Sequence, residues 1–177
     1  PWSGGAVATV EAAQHHAEAI GYPLMIKAAA GGGGRGIRMV HTAEELPDAF
    51  ERARAEAAKS FGDDTLFMEK LLTDVHHVEV QIIADDAGTV WPVGIRDCSV
   101  QRRNQKVIEE SASTALGPEH ARLLLQSAVS LAELSSYRNA GTVEFLFQPE
   151  SGTLAFLEVN PRLQVEHPVT ELTTGLD

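Results

Sequence analysis

The stretch FLEVNPRLQVEHPVTE, from Phe156 to Glu171, joins an apolar run typical of a strand to a dense group of polar side chains. Glu158 and Asn160 stand two residues apart at the end of that run, so they share one face of the predicted strand. A carboxylate and an amide oxygen in this arrangement indicate a cation site. Arg162 and Glu166 follow at close spacing, and this pair suits an anion held beside a general base.

Length, composition and charge limit the class of protein. The 177 residues, 44% of them hydrophobic, are enough for one domain or a domain plus a small lobe. The sequence contains no run of about 18 apolar residues and begins without a signal-peptide pattern, so we predict neither a membrane span nor a membrane partner. A net charge of −11 argues against a nucleic-acid partner. The single cysteine, Cys98, favours a reducing compartment and a buried thiol over a catalytic one.

The first part of the chain predicts a helix, a hairpin and a second helix. The helix spans Val7 to Ile20, and the strands Leu24–Ala28 and Ile37–Val40 flank a glycine-rich loop. Because a strand follows the glycines, the pattern excludes the dinucleotide fingerprint and the Walker loop, which both need a helix there. A capping box over Thr42–Glu45 predicts a second helix that runs to about Ser60.

The glycine-rich loop, Gly31 to Gly36, follows Lys27 at the end of a predicted buried strand. Without side chains, backbone N–H groups can approach an anion closely, and a hairpin loop of this kind can act as a flap over phosphates. A flexible linker is the alternative for the glycines. A salt bridge on a core-facing lysine is the alternative for Lys27.

The second part of the chain alternates strands with one long helix, a pattern that favours an α+β fold with mainly antiparallel pairing. The predicted strands are 65–69, 77–84, 90–95, 142–147 and 154–159, and the helix is 118–136. A basic loop with Arg96, Arg102, Arg103 and Lys106 suits a small anionic ligand, although a solvated loop balanced by neighbouring acids is the alternative. The residues alone place His77 and Gln81 on a polar outer face.

A predicted hairpin places Glu144 opposite Glu158 if its turn is centred near Ser151. Carboxylates at the cross-strand distance of about 5 Å repel one another, and Mg²⁺ or Mn²⁺ would offset that repulsion. In a different register, the two glutamates would be separate solvent-facing residues. His167 is open to two interpretations, a second base or a structural histidine before proline.

These segments together resemble biotin carboxylase, the ATP-grasp component of the acetyl-CoA, propionyl-CoA, pyruvate and urea carboxylases. The segments that carry the resemblance are Lys27, 31–36, 67–70, 77–81, 96–106, 141–145 and 158–171. The resemblance implies an α+β ATP-grasp fold with a lid subdomain over residues 1–71. Residues 72–177 would form part of the core subdomain, with a mainly antiparallel sheet and the metal and bicarbonate site.

The resemblance also implies an ATP-dependent ligase. ATP would phosphorylate bicarbonate to carboxyphosphate, which carboxylates the ureido nitrogen of biotin as the carried co-substrate. The implied ATP contacts are Lys27, Gly32, Gly33, Gly34, Glu69, Lys70, Leu72, His77 and Gln101. The implied ligands of Mg²⁺ or Mn²⁺ are Glu144, Glu158 and Asn160. The implied bicarbonate site is Lys106, Arg162, Gln164, the backbone of Val165, and Glu166, with Lys106, Arg162 and Glu166 as the catalytic residues. Of these, Glu166 would be the base, and Arg162 would also stabilise the biotin enolate.

Partners and context follow from the same resemblance. It implies a biotin carboxyl carrier domain or protein, a carboxyltransferase component, a homo-oligomer as one assembly, and a cytoplasmic location or the mitochondrial matrix in a eukaryote. The chain starts at Pro1 without a methionine and stops at Asp177, so we expect a fragment that is incomplete for turnover. One alternative is the carbamoyl-phosphate synthetase large subunit, which the VEHPVTE stretch opposes. The other is a non-catalytic nucleotide-binding module.

Overall fold

Two units divide the chain, Pro1–Leu71 and Leu72–Asp177. The structure is a computed structural model that describes residues 1–31, 35–103 and 105–177. The predicted ATP contacts Gly32, Gly33 and Gly34 lie outside the described residues. The assignment of the units as a lid and part of a core stays a prediction.

The first unit is built on a three-stranded antiparallel sheet with the order β2-β1-β3. Its elements are α1 Val10–Ile20, β1 Leu24–Ala28, β2 Ile37–Val40, α2 Leu46–Phe61 and β3 Leu66–Lys70. The central strand β1 is almost entirely buried, as its apolar run predicts. The antiparallel pairing of β1 with β2 confirms the predicted hairpin on either side of the glycine-rich loop.

Both helices of the first unit begin later than predicted. In α1 the Thr9 hydroxyl accepts a hydrogen bond from the Ala12 N–H at 3.2 Å, which makes Thr9 the cap. The capping-box prediction for α2 is wrong, because the Glu45 carboxylate accepts from the backbone N–H of His41 at 2.9 Å instead of that of Thr42. Pro47 stands in the first turn of α2, where its missing N–H is not needed.

The second unit is a five-stranded antiparallel sheet with the order β6-β5-β4-β7-β8. Its elements are β4 His76–Ala84, β5 Val90–Arg102, β6 Gln105–Ser111, α3 Pro118–Leu134, β7 Asn139–Gln148, β8 Thr153–Asn160 and α4 His167–Thr174. One face of the sheet packs against the buried stripe Leu124, Ala128 and Ala132 of α3, and α4 contacts β5 and β6. Two helices packed on antiparallel strands confirm the α+β class. No helix within the three described ranges is long and apolar enough to cross a membrane.

The predicted basic loop is a hairpin. β5 continues through Arg102 and pairs with β6, for example at Val100 with Ile108 and at Gln101 with Lys106. Strand propensity explains the difference, because Val100 and Ile108 are β-branched residues that favour a pleated surface even where they are exposed. Lys106 therefore lies on a strand.

Candidate active site

A row of charged side chains crosses four neighbouring strands of the second unit. Arg96 on β5 pairs with Glu79 on β4, Glu79 pairs with Glu144 on β7, and Glu144 pairs with Glu158 on β8. Residues directly opposite one another project to the same face of a sheet. The pairing confirms the predicted opposition of Glu144 and Glu158, and it adds a third carboxylate to the row.

Lys106 binds the middle of this row. Its Nζ lies 2.6 Å from Glu79 Oε2, 2.8 Å from Glu144 Oε1 and 2.7 Å from Glu166 Oε1. The three N–H donors of an ammonium group thus each have a carboxylate acceptor. The contacts bring together a predicted metal ligand, a predicted bicarbonate ligand and the predicted base.

The three predicted site residues in this cluster have shifted pKa values. Burial lowers the pKa of Lys106, but the hydrogen bonds that its ammonium group donates to three carboxylates outweigh burial, so the net shift is upward. Burial raises the pKa of Glu144, but contacts with His77 and Lys106 bring it down to about 2. Burial also raises the pKa of Glu166, and the Lys106 hydrogen bond leads the contributions that lower it overall. Glu166 is therefore a carboxylate at neutral pH and able to accept a proton.

Sequence reasoning missed Glu79, whose exposed fraction is 0%. Its Oε1 accepts from Arg96 Nε at 2.6 Å, while its Oε2 binds Lys106. The sequence feature that could have identified Glu79 is the alternation of β4, which places it on the same strand face as His77 and Gln81. That face was predicted to be an outer one, and the prediction is wrong because Gln81 is also fully buried.

Arg96 is internal, with 1% of its surface exposed. Its Nη1 donates to Gln81 Oε1 at 2.9 Å and to Thr170 Oγ1 in α4 at 2.7 Å. Arg102 and Arg103 are exposed. Arg96 is thus bound by protein acceptors and Arg102 and Arg103 face outward, so the role of this basic stretch in binding a small anion stays a prediction.

Asn160 and Glu158 extend the site along β8. The Asn160 amide Nδ2 donates to Glu144 Oε1 at 3.0 Å. Glu158 is half-buried, and its side chain has no hydrogen bond or ion pair among the described residues. The predicted metal ligands Glu144, Glu158 and Asn160 thus lie together. Within the described residues, the Glu158 carboxylate is unpaired.

The loop after β8 divides its predicted residues between buried and exposed positions. Gln164 is 8% exposed, and its Nε2 lies 3.4 Å from Glu144 Oε1. The Gln164 Oε1 is buried without a partner among the described parts of the chain. Arg162 and Val165 are exposed, and Arg162 Nη1 donates to the Leu163 carbonyl at 3.1 Å. Gln164 and Glu166 therefore join the cluster, whereas Arg162 does not contact it.

His77 links the cluster to a second predicted ATP contact. Gln101 Nε2 lies 2.8 Å from His77 Nδ1, and His77 Nε2 lies 3.0 Å from Glu144 Oε2. The second distance is that of an ion pair, although the ring N–H does not meet hydrogen-bond geometry. Two residues predicted to contact ATP therefore adjoin a residue predicted to bind the metal.

The other predicted nucleotide contacts lie in the first unit, except Leu72. Lys27 forms an ion pair with Glu69, and Lys70 Nζ donates to the Tyr22 carbonyl at 2.7 Å. The Lys27 contact is the salt bridge foreseen as its alternative role, and its two members are also the residues predicted to bind ATP. Leu72 is half-buried at the start of the second unit.

Two residues with open alternatives have defined positions. His167 opens α4, and its Nδ1 lies 3.4 Å from the buried Gln81 Oε1. Cys98 is fully buried, which confirms the prediction of a buried thiol. Burial raises the pKa of Cys98, so the sulfur stays protonated and unreactive.

The family described as "Carbamoyl-phosphate synthase L chain, ATP binding domain" matches residues 2–177. Among individual proteins, the pyruvate carboxylase of Bacillus subtilis is 49% identical over all 177 residues, which correspond to 15% of that protein.

Solved structures match the chain over its full length. A biotin carboxylase–β,γ-ATP complex from Campylobacter jejuni has a TM-score of 0.94 and 47% identity, and the match covers 40% of that chain. The biotin carboxylase domain of Hydrogenobacter thermophilus 2-oxoglutarate carboxylase, in complex with MgADP, ADP and bicarbonate, has a TM-score of 0.91 and 47% identity, with 39% of its chain covered. The present chain thus spans less than half of each relative. These matches confirm the predicted ATP-grasp fold and the resemblance to biotin carboxylase.

Proposed function

Because the chain belongs to the family of carbamoyl-phosphate synthase L chain ATP-binding domains, we propose that it is part of a biotin carboxylase. The reaction is the ATP-dependent carboxylation of biotin by bicarbonate, within an acyl-CoA carboxylase or a related enzyme. The observation that carries the proposal is the triple contact of Lys106 with Glu79, Glu144 and Glu166. This contact joins Glu144, a predicted metal ligand, to Lys106, a predicted bicarbonate ligand, and to Glu166, the predicted base.

The charge of the cluster supports a divalent cation. Among the described residues, the charged row and its immediate neighbours hold four carboxylates, from Glu79, Glu144, Glu158 and Glu166, and two permanent cations, Lys106 and Arg96. The excess of two negative charges equals the charge of one Mg²⁺ ion, and the unpaired Glu158 carboxylate is a ligand of the kind that Mg²⁺ and Mn²⁺ prefer.

The donor set fits a magnesium or manganese ion. Glu144, Glu158 and Asn160 would hold it through oxygen atoms, and ATP phosphates would complete the coordination. When bound, the ion supplies charge neutralisation at the transferring phosphoryl group.

Residues around Lys106 would bind bicarbonate. Gln164 offers a buried carbonyl oxygen that has no hydrogen-bond partner within residues 1–31, 35–103 and 105–177, and this oxygen can accept a hydrogen bond from the hydroxyl of bicarbonate. Lys106 can donate to a bicarbonate oxygen in exchange for one of its three carboxylates. Arg162 has an exposed planar guanidinium in the same loop, with one N–H donated to the Leu163 carbonyl, and it would bind the anion through its other N–H groups.

Glu166 serves as the base in this scheme. A bicarbonate oxygen attacks the γ-phosphorus of ATP, the bond from that phosphorus to the bridging oxygen breaks, and ADP leaves with the electron pair. Glu166 takes the proton of bicarbonate, since its lowered pKa keeps it ionised beforehand. The ureido nitrogen of biotin then attacks the carboxyl carbon of carboxyphosphate, the bond from that carbon to the phosphate oxygen breaks, and phosphate leaves with the electron pair and takes up the ureido proton.

ATP is the nucleotide of the proposed reaction, and each unit by itself carries some of its proposed contacts. Lys27 supplies a cation for the phosphates, Glu69 and Lys70 supply polar groups for adenine, and His77 with Gln101 supplies contacts beside Glu144. The partners of the reaction are a biotin carboxyl carrier domain and a carboxyltransferase component, in the cytoplasm or the mitochondrial matrix.

The decisive test is an ATPase assay on the full-length protein that carries this chain. We expect ATP hydrolysis to require bicarbonate and to be coupled to carboxylation of free biotin. Incorporation of ¹⁴C-bicarbonate into biotin measures the product directly. Hydrolysis of ATP that is independent of bicarbonate would contradict the proposal and favour a nucleotide-binding module.

Carbamoyl-phosphate synthesis is the second candidate, because the family description names that enzyme. It shares bicarbonate activation by ATP and differs in the acceptor, ammonia instead of biotin. Formation of carbamoyl phosphate without biotin in the same assay would identify this second function and exclude the first.

A further inference from the structure

The β5 strand is interrupted at the site by a bulge. Asp97 pairs with Val78 of β4 and with Glu110 of β6, the next residue paired with β6 is Val100, and a second register shift follows between Val100 and Gln101. Cys98 and Ser99 lie inside the interruption. Bulges re-aim side chains and often stand beside active sites.

The Asp97 carboxylate organises the bulge from inside. It is 8% exposed, and its Oδ1 accepts from the Ser99 backbone N–H at 3.0 Å and from the Ser99 hydroxyl. Its Oδ2 accepts from the Ser113 hydroxyl at 2.5 Å and lies 3.2 Å from His76 Nδ1. Each carboxylate oxygen therefore has partners, and one oxygen serves Ser99 alone.

The Ser99 hydroxyl connects Asp97 to His77 through two hydrogen bonds. A hydroxyl has a single proton, and here that proton is donated to Asp97, so the lone pairs of Ser99 remain as acceptors. The backbone N–H of His77 donates to Ser99 Oγ at 3.1 Å, in place of a β5 ladder carbonyl. By accepting the hydroxyl proton, Asp97 orients the lone pairs of Ser99 Oγ towards the His77 N–H.

The bulge also sets the ring of His77. The carbonyl of Cys98 accepts from Gln101 Nε2 at 2.9 Å, and the same Nε2 lies 2.8 Å from His77 Nδ1. With Gln101 as donor, Nδ1 carries no proton, and the ring proton sits on Nε2 facing Glu144. The backbone of His77 is thus held by Ser99, and its ring is held by Gln101, which the Cys98 carbonyl orients.

We propose that Asp97 and Ser99 are positioning residues that hold His77 and Gln101 in the orientation needed to contact the nucleotide. The inference rests on the proposed function, which assigns His77 and Gln101 to ATP. Neither Asp97 nor Ser99 touches a reacting atom, and both act through His77.

The test is Ser99→Ala in the 177-residue chain, with ¹⁵N-labelled histidine observed by NMR. Loss of the hydroxyl leaves the His77 N–H without its acceptor, so the His77 backbone shifts and moves Nδ1 away from Gln101 Nε2. We therefore expect both ring tautomers to be populated and the His77 Nδ1 and Nε2 resonances to move towards each other. We expect the dissociation constant for MgADP, measured by calorimetry, to rise about 5- to 10-fold, as typical for loss of an oriented hydrogen bond.

Two further variants separate positioning from general damage. Ser113→Ala removes a hydroxyl from the other oxygen of Asp97 and should leave the His77 resonances and MgADP binding unchanged. Ser99→Thr keeps the hydroxyl and should restore both. If circular dichroism shows that Ser99→Ala is unfolded, Asp97→Asn replaces it, because the amide keeps the shape and removes the charge.

Unchanged His77 resonances in a folded Ser99→Ala or Asp97→Asn chain would overturn the inference. An equal effect of Ser113→Ala would overturn it as well, since that hydroxyl is not on the route to His77. Failure of the wild-type chain to bind MgADP would count against the proposed function alone, because the resonances still decide the positioning of His77.

Discussion

Glu144 and Glu158 face each other across β7 and β8, yet their surroundings differ. Glu144 is buried and accepts hydrogen bonds from Lys106 and Asn160, whereas Glu158 has no side-chain partner in the described part of the chain. One carboxylate of the pair is therefore integrated into the folded structure, and the other is available to a ligand. The two should respond differently to the same substitution.

Glu158→Gln should weaken metal binding and leave folding nearly unchanged. A half-buried carboxylate without partners contributes little to stability, so we expect a change in the free energy of unfolding within about 0.5 kcal/mol. Calorimetric titration with Mn²⁺ and a thermal melt measure the two effects. Glu150→Gln, an exposed carboxylate at the turn of the same hairpin, is the matched control and should alter neither. Unfolding of the Glu158→Gln chain would assign this residue a structural role.

Acid should destabilise the protein through Glu144. Its pKa is about 2 in the folded state, below the ordinary value of 4.5, so the unfolded state binds the proton more readily. The stabilisation is therefore present above pH 4.5 and is lost as the pH falls towards 2, with a magnitude on the order of 3 kcal/mol. Urea unfolding at a series of pH values measures this loss. Glu144→Gln should flatten the dependence over that range, and an identical slope in both proteins would contradict the assignment.

Lys106→Met should destabilise the chain strongly at neutral pH. The substitution leaves Glu79, Glu144 and Glu166 close together without their common counter-ion, and breaking a buried ion pair in this way costs about 3–5 kcal/mol. Lowering the pH should recover part of the loss, because protonation relieves the repulsion. Denaturant unfolding gives the value, with the exposed Lys59→Met as control. A loss below about 1 kcal/mol would mean that the cluster is not charged as described.

Arg96→Lys should loosen α4. Lysine cannot reproduce the guanidinium fork that binds Glu79, Gln81 and Thr170 together. We expect faster hydrogen exchange at the amides of α4, which mass spectrometry of deuterated peptides resolves. Arg102→Lys, on the same strand but exposed, should not change this exchange. Protection of α4 equal to wild type in Arg96→Lys would show that Thr170 holds the helix without Arg96.

The sequence by itself determined the features that depend on neighbouring residues. Alternation and turn residues were sufficient for the β1–β2 and β7–β8 hairpins, because a loop of turn-forming residues separates the two apolar runs of each pair. The turn alone does not place Glu144 opposite Glu158, since a register shift between Glu144 and Phe145 passes over Leu157 and brings Glu158 to that position. The α+β class and the resemblance through Glu158 to Glu171 were readable because they also depend on neighbouring residues.

Only the tertiary structure decided which face of β4 is buried. Alternation tells which residues share a face of a strand, but not what covers that face. The pairing of Glu79 with Arg96 and Glu144 depends on contacts between strands far apart in the chain, and on α4, which supplies Thr170 to Arg96. Glu79 and Gln81 on a polar strand face thus became fully buried, because the charges opposite them and the helix over them provide the partners that burial requires.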